Sequence, residues 1–300
     1  MFNNSDTDFE TLVLLFRRAS SLPELPGSAL RLMHVIDSGS ASAKDLEKII
    51  SADPGLSANL LRISNARVPG TAPNGVSTIR AAIMHLGQRS VRTLAVSLIM
   101  QQMSHGKDVA HEFEVDQFAK HSLYTAFLAK YLFARRNLAT DFKSQFTADE
   151  IFAGGLLHDI GLALLARVSK ESYFRIHSFA GRTRMTLDAS FLKIYGKPLT
   201  ELARSAVEAW DLPELFGMTL RYLNEPWHCP DEYTAMCCLN YANYLAQKFG
   251  PITEHWECTS ALMPEVEAEM ALPENEVATV LEHVEHQVAA YLNQEEPKAA

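Results

Sequence analysis

The sequence predicts an all-α protein. Three observations carry that reading. Alternating strand patterns are almost absent, helix start and stop chemistry recurs throughout, and the longest apolar patterns follow the helical rather than the strand period. With 47% apolar and 21% charged residues among 300, the chain can bury a sizeable core. The length implies one large domain or two closely joined ones.

The elements follow in order. Ser42 with Asp45 opens "AKDLEKIISA", and Asp53 caps a second helix whose first position is Pro54. Proline is harmless there, since its missing N–H would have no intrahelical partner. That helix sets Leu56, Leu60 and Ile63 on one side. "RVPGTAPNG" (67–75) is a loop, Ser77 starts "TIRAAIMHL", Gly87 stops it, and "RSVRTLAVSLIMQQM" follows at once. Residues 116–136 form a long amphipathic helix, and Thr147 with Glu150 is a capping-box pattern before "GGLLHDIGLALLA" (154–166). Further helices are expected at about 170–181, 185–195, 199–210, 213–223, 230–249 and 274–294, and "EEPKAA" should fray. The stretch near 105–112, "HGKDVAHE", separates an N-terminal lobe (1–108) from a central helical region (109–250), with an acidic extension (251–300) beyond. "LPELPG" (22–27) is a shorter break within the lobe.

Net charge is −9, unevenly placed: residues 1–110 carry +2, residues 111–250 carry −1 and residues 251–300 carry −10. A nucleic-acid binder would show a basic face, so no nucleic-acid partner is expected. No run of eighteen apolar residues occurs, and "MFNNSDTDFETL" resembles neither a signal nor a transit peptide. The expectation is a cytoplasmic protein with no membrane contact. Cys229, Cys237, Cys238 and Cys258 lack zinc-knuckle spacing and read as reduced, mostly buried thiols.

The chemistry sits in the histidines. His158 and Asp159 are adjacent in an apolar run beside Gly154, Gly155 and Gly161. On one helix neighbouring side chains diverge by about 100°, so the pair could share an ion only at an edge facing a cavity. Each glycine costs a helix about 1 kcal/mol, so the three together imply close approach of another helix or a ligand. His121 lies in helical register with Phe118, Thr125 and Leu128 and so faces inward. Two readings stand: a hydrolytic metal site on His121, His158 and Asp159, or three polar groups hydrogen-bonded in a core.

"HS" at 121–122 followed by "LLHDIG" at 156–161 resembles the HD superfamily of metal-dependent phosphohydrolases. "LPELPGSALRLM", "ISADPGLSANLLRISNA", "STIRAAIMHLGQRSVRTLAV" and "AWDLP" (209–213) resemble its HDOD branch, the HD-related output domains, over about residues 20–250. The resemblance implies an N-terminal helical lobe packed on an HD-like helical core. It also implies bacterial signalling as an output or scaffold module, without demonstrated hydrolysis. The catalytic relatives, the HD-GYP cyclic-dinucleotide phosphodiesterases, use more ligands.

In that pattern His121, His158 and Asp159 match the first three ligands, while the late aspartate falls on Asn243. An amide offers a carbonyl oxygen but no charge to a hard cation. The histidine expected eleven residues before Trp210 falls on Leu199, and the His-His pair expected after "WDLP" falls in "RYLNEP", near Leu223 and Asn224. Residues 187–227 contain no histidine, and His228 would be at most a shifted remnant. The resemblance therefore implies a degenerate site: no catalytic residues, no stoichiometric metal or other cofactor beyond weak divalent binding, and His121, His158 and Asp159 as vestigial candidates. A non-enzymatic regulatory module acting on signalling protein partners is the expectation. A phosphohydrolase with a reduced ligand set is the alternative.

Other features have plainer readings. His283 and His286 should lie on a wet face, and Arg17–Arg18 and Arg135–Arg136 read as helix-end charges. Arg89 to Arg92 could face a phosphate, but the lobe's small charge argues against it. Asn65 reads as a helix end. The last helix has an apolar stripe through Val277, Val280, Leu281, Val284, Val288 and Leu292, which must pack on its own core, on a partner or on a second copy.

Overall fold

The computed structural model describes residues 5–19, 42–65, 76–104, 109–139, 143–209, 213–250, 262–270 and 272–292, and these contain no strand. The helices are α1 (Ser5–Ala19), α2 (Ala43–Ser51), α3 (Pro54–Asn65), α4 (Ile79–Ser104), α5 (Val115–Ala139), α6 (Ala148–Leu157), α7 (Ile160–Val168), α8 (Lys170–Thr183), α9 (Leu187–Tyr195), α10 (Leu199–Ala209), α11 (Glu214–Tyr222), α12 (Tyr233–Phe249), α13 (Pro264–Met270) and α14 (Glu274–Leu292). The expected breaks at 22–27 and 67–75, Trp210, Cys258 and the final "EEPKAA" lie outside the described residues.

The local start signals act as the sequence implies. Ser42 and Asp45 close a reciprocal capping box on α2, and Thr147 with Glu150 does the same on α6. The Asp53 carboxylate accepts the Leu56 N–H at 2.9 Å to cap α3. One cap differs: the Ala81 N–H is taken by Thr78 rather than by Ser77. Gly87 has φ +79° and kinks α4, a backbone conformation that side chains with a Cβ resist. Asn65 does more than end α3, because its amide both accepts from the Val76 N–H and donates to the Val76 carbonyl, clasping α3 to the approach of α4.

Helices α2, α3 and α4 pack on one another as a lobe, and α4 lies against α6. The centre of the molecule is α5 packed on α6 and α12, while α7 packs on α8 and α10, α8 on α9, α10 on α11, and α11 on α6. The first helix was assigned to the N-terminal lobe by chain order, but in space it lies on α7, α9 and α10, with the Phe9 ring edge-on to Phe191. Lys130 on α5 ties lobe to core. It is buried, donates to the Ile63 carbonyl at the end of α3 and pairs with Asp149 at 2.9 Å.

The acidic extension packs on its own core. Val280, Val284, Val288 and Tyr291 are buried, and α14 lies along α5. Arg135 and Arg136 are not simply helix-end charges: they pair with Glu276 on α14 and Glu269 on α13. Opposite charge on the extension answers the basic end of α5. The run Ala148–Val168 has the length and composition of a membrane span, yet most of it is buried inside the protein and it is broken in the middle.

Candidate functional site: a His-His-Asp centre at a helix break

The single helix expected over 154–166 is two. α6 ends at Leu157, α7 begins at Ile160, and Asp159 between them leaves helical geometry at φ −107°, ψ 18°. The break removes the constraint of 100° divergence, so His158 and Asp159 turn toward the same point. The glycines permit the packing that brings the third residue in. A Cβ on Gly155 would stand 2.8 Å from the Ala126 Cα of α5, and one on Gly161 would stand 3.0 Å from Ala203 of α10. Both are close approaches of another helix. His121, one turn before Thr125 on α5, is thereby held against α6.

The result is a compact trio. His121 Nε2 lies 3.2 Å from His158 Nε2 and 3.5 Å from Asp159 Oδ2, and His158 Nε2 lies 3.0 Å from the same oxygen. His158 donates its Nδ1–H to the Gly155 carbonyl at 2.7 Å, so the neutral ring turns a lone pair on Nε2 into the centre. Burial pushes the His121 pKa down, only partly opposed by its hydrogen bond to Asp159. Burial also works against a charged His158, but the Asp159 carboxylate outweighs it and raises His158 above its ordinary value. Burial alone would lift Asp159, yet the two imidazoles hold its carboxyl well below the usual range.

Of the trio, Asp159 lines a cavity of about 410 Å³ whose other walls come largely from α9, α10 and α12. Leu199, Asn224 and Asn243, three of the four positions where the sequence count places missing ligands, all line it. Asn243 is near enough to His121 to oppose, slightly, the lowering of its pKa by burial. No lysine or arginine lines the cavity among the described residues. His228 is elsewhere, exposed and paired with Glu225. His286 is exposed as expected, whereas His283 is half-buried, near the Tyr131 ring. Cys229, Cys237 and Cys238 are buried free thiols.

The sequence reading missed Asp188. It lies on the first turn of α9, which Thr186 caps, and it lines the same cavity as Asp159. Its carboxyl is raised by burial and by the Asp159 charge, with His158 pulling the other way. The residue is exposed on the cavity side, so solvent weakens both effects. An acid two residues after a threonine is the ordinary signature of a helix start, which is why it drew no notice.

Compared with known families, residues 22–226 match the HDOD domain. The chain belongs to the HDOD family. Similar solved structures include an HDOD domain protein of unknown function from Geobacter sulfurreducens, with TM-score 0.61, 18% identity and coverage of 95% of this chain and 94% of that one. A candidate phosphohydrolase from Shewanella amazonensis SB2B has TM-score 0.64 and 21% identity over 94% of this chain and 98% of that one. A candidate signal transduction protein from Marinobacter aquaeolei VT8 has TM-score 0.65 and 19% identity over 98% of this chain and 66% of that one. At such identities they establish the fold. An uncharacterized protein of Treponema pallidum (strain Nichols) is 21% identical over 216 residues, 72% of this chain and 40% of that protein. The HDOD chain thus spans less than half of that relative's length.

The HD superfamily implies a divalent metal, and the trio's geometry can be tested against one. Donors bound about 2.0–2.1 Å from one ion stand about 2.9–3.4 Å apart for angles between about 90° and 109°. The three separations, 3.0, 3.2 and 3.5 Å, fall on or next to that range. His121, His158 and Asp159 therefore fit a single ion, with Gly155 orienting His158 from behind. Such an ion, when bound, would polarise water or a carbonyl or phosphoryl oxygen.

Proposed function

We propose that this HDOD chain is a regulatory module that acts through contacts with a signalling protein, its HD centre reduced from two cation positions to one. The observation that supports this reading is the identity of the cavity wall. Leu199, Asn224 and Asn243 stand there, where the family pattern of the active enzymes has ligands. A dinuclear centre uses its second cation to share the charge of the attacking and leaving oxygens. One leucine and two amides supply no charge for it, and no cationic side chain among the described lining residues offers a phosphate a substitute. The protein on this reading works in the cytoplasm, without nucleic acid or membrane.

The test is turnover of cyclic dinucleotides and of a chromogenic phosphodiester by purified full-length protein with added Mn2+ or Fe2+. No turnover above that of Asp159→Ala is expected, together with capture of a specific signalling protein that survives the same substitution. Turnover abolished by Asp159→Ala would instead support the second reading, a phosphohydrolase with few ligands. That reading draws on the metal-like spacing of the trio.

A further inference from the structure

We propose that Asp188, outside the family's ligand pattern, supplies the second carboxylate charge that Asn243 does not, and so lets the trio hold one divalent cation. The inference rests on the reading of a centre with a single cation position, and it concerns what holds the ion there.

The argument begins with unbalanced charge. Asp159 and Asp188 line one cavity, and among its described residues the remaining polar groups are amides and hydroxyls, which carry no net charge. Two carboxylates sharing a site repel unless a cation lies between them. A divalent ion on the trio turns that repulsion into attraction.

Position is the second support. Leu187, Ser190, Phe191 and Tyr195 bury the inner face of α9, so Asp188 is carried on a fixed helix rather than a loose loop. It is not one of the three groups whose donor atoms converge within 4.8 Å. Its role is thus that of an outer charge, acting through water or through a ligand of the ion. Outer groups of this kind typically change metal affinity about 10- to 100-fold.

The experiment is calorimetric titration of the full chain with Mn2+ alone, with electron paramagnetic resonance reporting the bound ion. The wild type should bind one Mn2+ per chain. Asp188→Asn should weaken binding about tenfold or more, with folding checked by circular dichroism. Adding Asn243→Asp to that variant should restore affinity, because it returns a carboxylate to the cavity wall. Unchanged affinity in Asp188→Asn overturns the inference, as does a wild type that binds no Mn2+ at millimolar concentration. The latter leaves the regulatory reading intact. Two bound ions with phosphodiester turnover would overturn both.

Discussion

Gly155→Ala tests how the site is assembled. The added Cβ would meet the Ala126 Cα at 2.8 Å, the Ala126 nitrogen at 3.1 Å and the Thr125 carbonyl oxygen at 3.2 Å, all of them backbone atoms. Carbon contacts relax at about 3.5–4.0 Å, so α5 and α6 must part by about 0.7–1.2 Å. Overpacking of this kind costs about 1–3 kcal/mol. Alanine's better helix propensity returns up to about 1 kcal/mol. The net expectation is a loss of about 1–2 kcal/mol, or a fall in Tm of about 2–3 °C for a chain of this length. Parting the helices also pulls His121 away from His158, so Mn2+ affinity should fall with stability. Gly154→Ala is the control: its Cβ meets the rotatable Thr219 hydroxyl at 3.1 Å, and it should cost less. Thermal and urea denaturation at pH 7 measure both. A Gly155→Ala protein as stable as the wild type would refute the reasoning, since the helices would then have room that the packing denies.

Three further outcomes follow from the same geometry. Lys130→Met should cost about 3 kcal/mol, because it leaves Asp149 and the Ile63 carbonyl without the buried ammonium; urea unfolding measures this, and Lys130→Met combined with Asp149→Leu should recover part of it. His121, with its pKa depressed in the folded state, contributes stability that is present above its ordinary value near 6.5 and lost as pH falls through the folded value. His121→Gln should therefore flatten the fall in stability between pH 6.5 and 5, whatever its effect at pH 7, and an unchanged slope would contradict the assignment. Asp188 has the opposite sign: its raised carboxyl contributes stability at low pH that disappears as pH rises through the folded value. In metal-free protein, Asp188→Asn should match the wild type near pH 4 and exceed it at pH 8, by less than about 1 kcal/mol once solvent screening is allowed for. Melting curves at the two pH values check this.

Much of this architecture was legible from local chemistry. Caps at Ser42, Asp53 and Thr147, the stop at Gly87 and the inward face of His121 are short-range signals, set by backbone hydrogen bonds and helical period. The need for close approach was also legible in Gly155 and Gly161, since a costly residue implies a compensating contact. What could not be read is what depends on distant chain. The break at His158–Asp159 is hidden because "GGLLHDIGLALLA" is apolar throughout, and periodicity does not register a two-residue interruption between buried helices. Asp188 is separated from Asp159 by the whole of α7 and α8, so no spacing connects them. Chain order placed α1 in the lobe, whereas its apolar face finds the surface of α7, α9 and α10. The metal-like separations of the trio could not be foreseen by counting ligands, because counting says nothing of distance.

Burying Lys130 has a mechanical consequence. For the α3 end to slide over α5, the ammonium must give up both the Ile63 carbonyl and the Asp149 carboxylate in surroundings too dry to replace them. Shear at that seam is thus resisted by a stiff polar bolt set nine residues, or about 13 Å of helix, from His121. A force applied to α3 is passed to the backbone of α5 instead of being dissipated as slip.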